Sequence, residues 1–170
     1  MKRRDVLRMG AAAPVAGTLA QELAKSADWK PAVLSPDQNE TVISLTEAII
    51  PATDTAGAKE AKVNRFIDLF LKDARGGDRD RFLEGLSWFE DFVIKQHGKS
   101  FAKLSASSQS AVLMALEKGG PDVEAGHRFF RLAKQLTSRI YYSTEIGFKE
   151  MNKGGRVPRS YGCSHPRRHA

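Results

Sequence analysis

Val63, Phe66, Ile67, Phe70 and Leu71 recur at i, i+3, i+4, i+7 and i+8, an apolar stripe that only an α-helix gathers onto one face. The same period governs most of the chain. Val42, Leu45 and Ile49 follow Ser35-Pro36, a capping residue and then the residue best suited to a first helical position. Pro51 stops that segment, because the residue before a proline is pushed out of the α region. Phe82, Leu86, Phe89 and Val93 share a face between Gly77 and Gly98, with Asp78 as the candidate cap. Val112, Leu113 and Leu116 follow a Ser105 cap and end at Gly119-Gly120-Pro121. Phe129, Leu132, Ala133, Leu136 and Ile140 form the last long segment, which begins near Asp122. No stretch sustains period-two alternation. The expected fold is all-α, a compact bundle of about five helices joined by short loops.

Cys163 is the only cysteine, so no disulfide within the chain can staple this bundle and packing must hold it. From Tyr141 onward the periodicity breaks. Gly147, Gly154, Gly155, Pro158, Gly162 and Pro166 punctuate a stretch that still carries Tyr141, Tyr142, Ile146, Phe148, Met151 and Tyr161. Disordered tails are poor in aromatics. Residues 141–170 are therefore expected to be an irregular extension lying across a surface, either the chain's own or a partner's.

Ahead of the bundle, Lys2-Arg3-Arg4-Asp5-Val6-Leu7-Arg8 precedes the bland apolar run Met9 to Ala20. A basic segment followed by a short apolar one is an export signal, and a run of this length falls short of the ~20 residues that span hydrocarbon. Arg3, Arg4, Val6 and Leu7 give it a twin-arginine character, an address for cargo that crosses already folded. It departs from that pattern in lacking Ser or Thr before the arginine pair, and in Val6 where Phe is common. An ordinary secretory signal carrying two arginines is the competing reading. The expected organisation is a signal over 1–27, a helical domain over 28–140 and the extension over 141–170. The expected location is the periplasm, with the inner membrane reached only through the signal or through a complex.

The net charge of +7 falls to +4 once residues 1–27 are set aside, and much of the excess lies in Lys153, Arg156, Arg159, Arg167 and Arg168. Such a tail can meet anionic surfaces. It lacks the basic and aromatic interleaving of a nucleic-acid reader, and export argues against that partner. Chemistry is sparse too. The chain has no glycine-rich phosphate loop, its histidines are scattered, and Cys163 with His165 makes two potential metal ligands where a site needs three or four. No Cys-x-x-Cys-His for covalent haem is present. Glu60, Asp68, Glu84, Glu90 and Asp91 read as solvated helix charges. Glu145, among the tyrosines, could orient a hydroxyl. Catalytic, cofactor and metal residues are all expected to be absent from this chain.

Three stretches carry a resemblance: Leu34-Ser35-Pro36-Asp37-Gln38, then Leu45 to Ala58 with Ile49-Ile50-Pro51-Ala52-Thr53-Asp54-Thr55-Ala56-Gly57 at its heart, then Ala61 to Asp68. Together with Tyr141 to Glu150 and Tyr161-Gly162-Cys163-Ser164-His165-Pro166, they resemble the gluconate 2-dehydrogenase subunit 3 family, the small subunit of membrane-associated flavin sugar dehydrogenases. That resemblance implies a non-catalytic subunit. Its partner would be a large FAD-bearing flavoprotein of the glucose-methanol-choline type, often with a multihaem cytochrome c carrying haem c as a third component. It implies as well that the large subunit crosses through the twin-arginine translocase on the small subunit's signal. The stretch Lys153 to Arg159 is more basic than the family pattern.

On this reading the partner contacts are Tyr141, Tyr142, Glu145, Phe148, Tyr161, Cys163 and His165, aromatics being enriched among interface anchors. The Pro51–Gly57 loop is either a second contact or a turn holding two helices at a fixed angle. Two other classes stand beside this one. The chain could be a stand-alone enzyme using Glu145, His165 and the tyrosines, or a stand-alone structural or interaction protein, exported or anchored by an uncleaved signal.

Overall fold

The computed structural model describes residues 29–75 and 77–153. Among these residues there is no strand, and six α-helices follow in order: α1 (Pro36–Ile49), α2 (Val63–Asp73), α3 (Asp78–His97), α4 (Ala106–Lys118), α5 (Glu124–Ser143) and α6 (Glu145–Met151). Short 3₁₀ turns at Phe101–Lys103 and Pro121–Val123 lead into α4 and α5. The architecture is the all-α one expected, with a sixth helix where an irregular extension was anticipated. α5 runs three residues past Ile140, and a single residue, Thr144, separates it from α6.

The helix ends follow from local chemistry. Ser35 caps α1 with its hydroxyl on the Gln38 N–H, and the Gln38 side chain returns a bond to the Ser35 N–H, so two otherwise orphaned donors are satisfied. Ser105 caps α4 with one bond, its hydroxyl oxygen accepting the Ser108 N–H. At α3 the cap is Gly77 with no side-chain bond, and Asp78, read from the sequence as the cap, is instead the first helical residue. There its charge still faces the positive helix end.

α5 is the central element, packed against every other helix. Its Phe129, Phe130, Ala133, Leu136 and Tyr141 are buried with Val63, Ile67 and Leu71 of α2 and with Phe82, Leu86, Phe89 and Val93 of α3. Phe89 meets Phe101 at 4.9 Å between ring centroids and Phe129 at 5.7 Å, which joins α3, the first 3₁₀ turn and α5 in one aromatic cluster. The stripe of α2 is wider than this core. Val63, Ile67 and Leu71 are buried, whereas Phe66 is half-buried and Phe70 is exposed.

Polar pairs lock the α1 side. The Asn64 amide donates to the Asn39 carbonyl oxygen at 2.9 Å, and the buried Thr41 hydroxyl donates to Glu90 of α3. Asp68 corrects the reading of helix carboxylates as solvated. It is 3% exposed, and its two oxygens accept the backbone N–H groups of Ala32, Val33 and Leu34 at 2.7, 2.9 and 2.9 Å. A carboxylate receiving several N–H donors can be buried because each lone pair is answered. The extended segment before α1 is thereby strapped to α2.

Candidate functional site

The loop between α1 and α2 is built around one side chain. Glu47, in the last turn of α1, accepts the Ala52 N–H at 2.9 Å through one oxygen and the Lys59 N–H at 2.8 Å through the other. The Ala58 N–H closes the loop onto the Ile50 carbonyl at 2.9 Å. The backbone at Gly57 passes so close that a Cβ there would sit 2.5 Å from the Ala52 nitrogen and 2.5 and 2.6 Å from the two Glu47 oxygens. Only glycine fits that approach. Pro51, Ala52, Thr53 and Asp54 are left exposed at the tip.

The junction of α5 and α6 meets this loop. Thr144 donates its hydroxyl to the Tyr141 carbonyl at 2.6 Å and accepts the Gly147 N–H at 3.1 Å, turning the chain within one residue. The Tyr141 ring is 2% exposed, and its hydroxyl donates to the Ala56 carbonyl at 2.7 Å. Burial pushes the Tyr141 phenol up. Asp54 is held below the usual carboxylate range by the Thr53 hydroxyl at 3.0 Å, by its own backbone N–H and by the charge of Lys153. Lys153 is pushed up by its bond to Glu150 at 2.6 Å, with Asp54 adding to the effect. Loop and corner are thus one surface, tied by the buried Tyr141 hydroxyl, with Asp54 and Lys153 carrying opposite charges on it. Tyr142, Phe148 and Met151 are 45%, 48% and 45% exposed on the corner, and Phe148 and Met151 share a helix face at i, i+3.

The expected contact residues therefore separate. Tyr142 and Phe148 present apolar area to solvent, and Glu145 is exposed, paired with Lys149 at 2.6 Å. Tyr141 does not belong with them: it is a core residue whose polar end is spent on Ala56, and this corrects its assignment as a surface contact. Tyr161, Cys163 and His165, like Arg3, Arg4, Val6 and Leu7, lie outside the described residues. The residues the sequence reading passed over are Glu47 and Thr144. Glu47 stands five residues before Ala52, a spacing no helix pattern flags, while Thr144-Glu145 before an apolar turn is a cap signal that was legible.

Among the described residues no three His, Cys, Asp or Glu side chains gather as metal ligands. No described helix is long and apolar enough to cross a membrane. His127 sets its Nδ1 2.8 Å from the Leu116 carbonyl near the end of α4, a bond between helices. The arrangement at the loop and corner offers shape, apolar area and exposed charges of both signs for binding.

The family model for gluconate 2-dehydrogenase subunit 3 matches residues 36–155. No curated protein and no solved structure matches the chain.

Proposed function

The chain belongs to the gluconate 2-dehydrogenase subunit 3 family, and from that premise we propose that it is the non-catalytic small subunit of a periplasmic flavin-dependent dehydrogenase of the gluconate or sugar type. Its partner is an FAD-bearing large subunit of the glucose-methanol-choline class, in some complexes with a multihaem cytochrome c. The large subunit performs the oxidation. The small subunit helps it fold and lends it the twin-arginine leader of residues 1–27, so that a flavoprotein loaded in the cytoplasm crosses while bound.

One observation carries this reading. The stretch at the heart of the resemblance, Ile49 to Gly57, and the aromatic corner form a single surface in which Tyr141 is internal and Tyr142 and Phe148 face outward. A surface stiffened by Glu47, Gly57 and the Tyr141 hydroxyl is pre-organised, and pre-organisation reduces the ordering cost of association. Its exposed aromatics are of the kind that anchor interfaces. The test is co-expression with the large subunit. Recovery of a yellow, stoichiometric complex from the periplasm is the expected result, lost when this chain is deleted. A large subunit that reaches the periplasm and turns over without it contradicts the proposal.

A further inference from the structure

α2 turns Phe66, Leu69 and Phe70 toward Leu136 and Ile140 of α5, leaving an apolar groove of about 440 Å³ between the two helices. Phe70 is 40% exposed on its wall, an unusual position for a phenylalanine in a stripe whose Val63, Ile67 and Leu71 are committed to the core. The groove lies where the chain enters the described structure. The Arg65 guanidinium stands 5.1 Å over the Trp29 ring, and Asp68 fastens the next few residues through three backbone N–H groups. The cleft around Trp29 shares Phe66 and Leu69 with the groove. Trp29 therefore stands beside two residues that also line the groove.

What precedes it contains an apolar run, Met9 to Ala20, with Val15 and Leu19 as its branched apolar side chains. Leu19 is ten residues from Trp29, a separation that spans at most about 33–36 Å. The eleven residues of α2 are about 16 Å long, so the run can lie anywhere along the groove. The other segment outside the described residues, 154–170, suits it less. It departs from Lys153, whose charge acts on Asp54 at the loop, and it carries Arg156, Arg159, Arg167 and Arg168. We propose that the apolar run Met9–Ala20 docks in the α2–α5 groove of the precursor, so that the folded domain shelters its own leader until the export machinery takes it. This rests on the export reading of residues 1–27. The Asp68 strap makes the shelter conditional on folding, since the groove and the anchoring of Trp29 both require a formed α2.

The test uses the full chain, purified from cells lacking the translocase, with Cys163→Ser to remove the native thiol. Ala16→Cys and Ser143→Cys are introduced, Ser143 being exposed at the groove's end. Mild oxidation is expected to give an intramolecular disulfide, and adding Val15→Asp with Leu19→Asp to slow it about tenfold, because the tether and its effective concentration are unchanged while docking is lost. Equal rates in the two chains, or disulfide-linked dimers in place of the internal bond, overturn the proposal. Fractionation of an Arg3→Lys, Arg4→Lys chain separates the two readings. A precursor that cross-links yet is exported despite these changes keeps the docking and removes the twin-arginine address. One that is retained by them but cross-links at the tether rate keeps the address and removes the docking.

Discussion

Phe129 of α5 lies with its ring over Gly85 of α3, so near that a Cβ on residue 85 would stand 2.6 Å from the ring and 2.9 Å from the Phe129 Cβ. The relationship is reciprocal one turn on. Trp88 of α3 covers Gly126 of α5, where a Cβ would meet the indole at 2.2 Å and Leu116 at 2.7 Å. Each helix offers a glycine to the other's aromatic, and this is what lets α3 and α5 close together. Gly85→Ala should gain about 0.5–1 kcal/mol of helix propensity and lose about 1–3 kcal/mol to overpacking. The expected net is a loss of stability, read as a fall of several degrees in Tm. A variant at least as stable as the native chain contradicts this packing.

Asp68→Ala should free the segment before α1. It leaves the Leu34 N–H buried without its acceptor and removes three bonds to a charged group, for a loss of about 2–3 kcal/mol. Limited proteolysis should then cut between residues 29 and 35 while the helices stay folded. Unchanged protection of that segment would show that Trp29 and Arg65 suffice to hold it.

Tyr141 gives the fold an alkaline limit. Its phenol is pushed up by burial, so the folded state holds the proton to a higher pH than the unfolded chain does. Stability from this group is complete below the unfolded value near 10 and is lost as pH rises toward the folded value. Tyr141→Phe should cost about 0.5–1.5 kcal/mol at neutral pH, through the lost bond to Ala56, and should lose less than the native chain between pH 8 and pH 11. Denaturant midpoints at the two pH values check both parts, and parallel losses in the two chains would contradict the assignment.

Thr137 sits wholly buried in α5 with no partner for its hydroxyl oxygen. Replacing a buried, unanswered hydroxyl by a methyl of similar shape removes its desolvation penalty, so Thr137→Val should stabilise the chain by about 1 kcal/mol. A measurable loss in thermal or denaturant unfolding would contradict it.

The bundle was legible in the sequence because its helices are amphipathic with ordinary caps; Ser35 and Ser105 act as the chain alone suggests. The sixth helix was not, since Gly147 within Glu145–Met151 reads as a break. It is there because only a residue without a Cβ tolerates the Tyr141 carbonyl 2.1 Å from that position. Periodicity also cannot tell a core aromatic from one that lines a groove, as Phe66 and Phe70 show beside Ile67. At the candidate site, the loop and the aromatic corner were visible as separate pieces. Their union depends on a bond between Tyr141 and Ala56, residues 85 apart, and on Glu47 answering two backbone donors of the loop, which no local pattern announces.

The surface formed by the 51–58 loop and the α5–α6 corner is the heart of the proposed role. Tyr142→Ala with Phe148→Ala removes exposed rings and leaves the Tyr141 bond and the core in place. Truncating interface aromatics costs upward of about 2 kcal/mol of binding when they are anchors, roughly thirtyfold in affinity. The direct measurement is the amount of FAD-bearing large subunit that co-purifies from the periplasm with this double variant, at matched expression and unchanged helical content. A large drop is the predicted result. Full stoichiometric recovery of the flavoprotein would contradict the account.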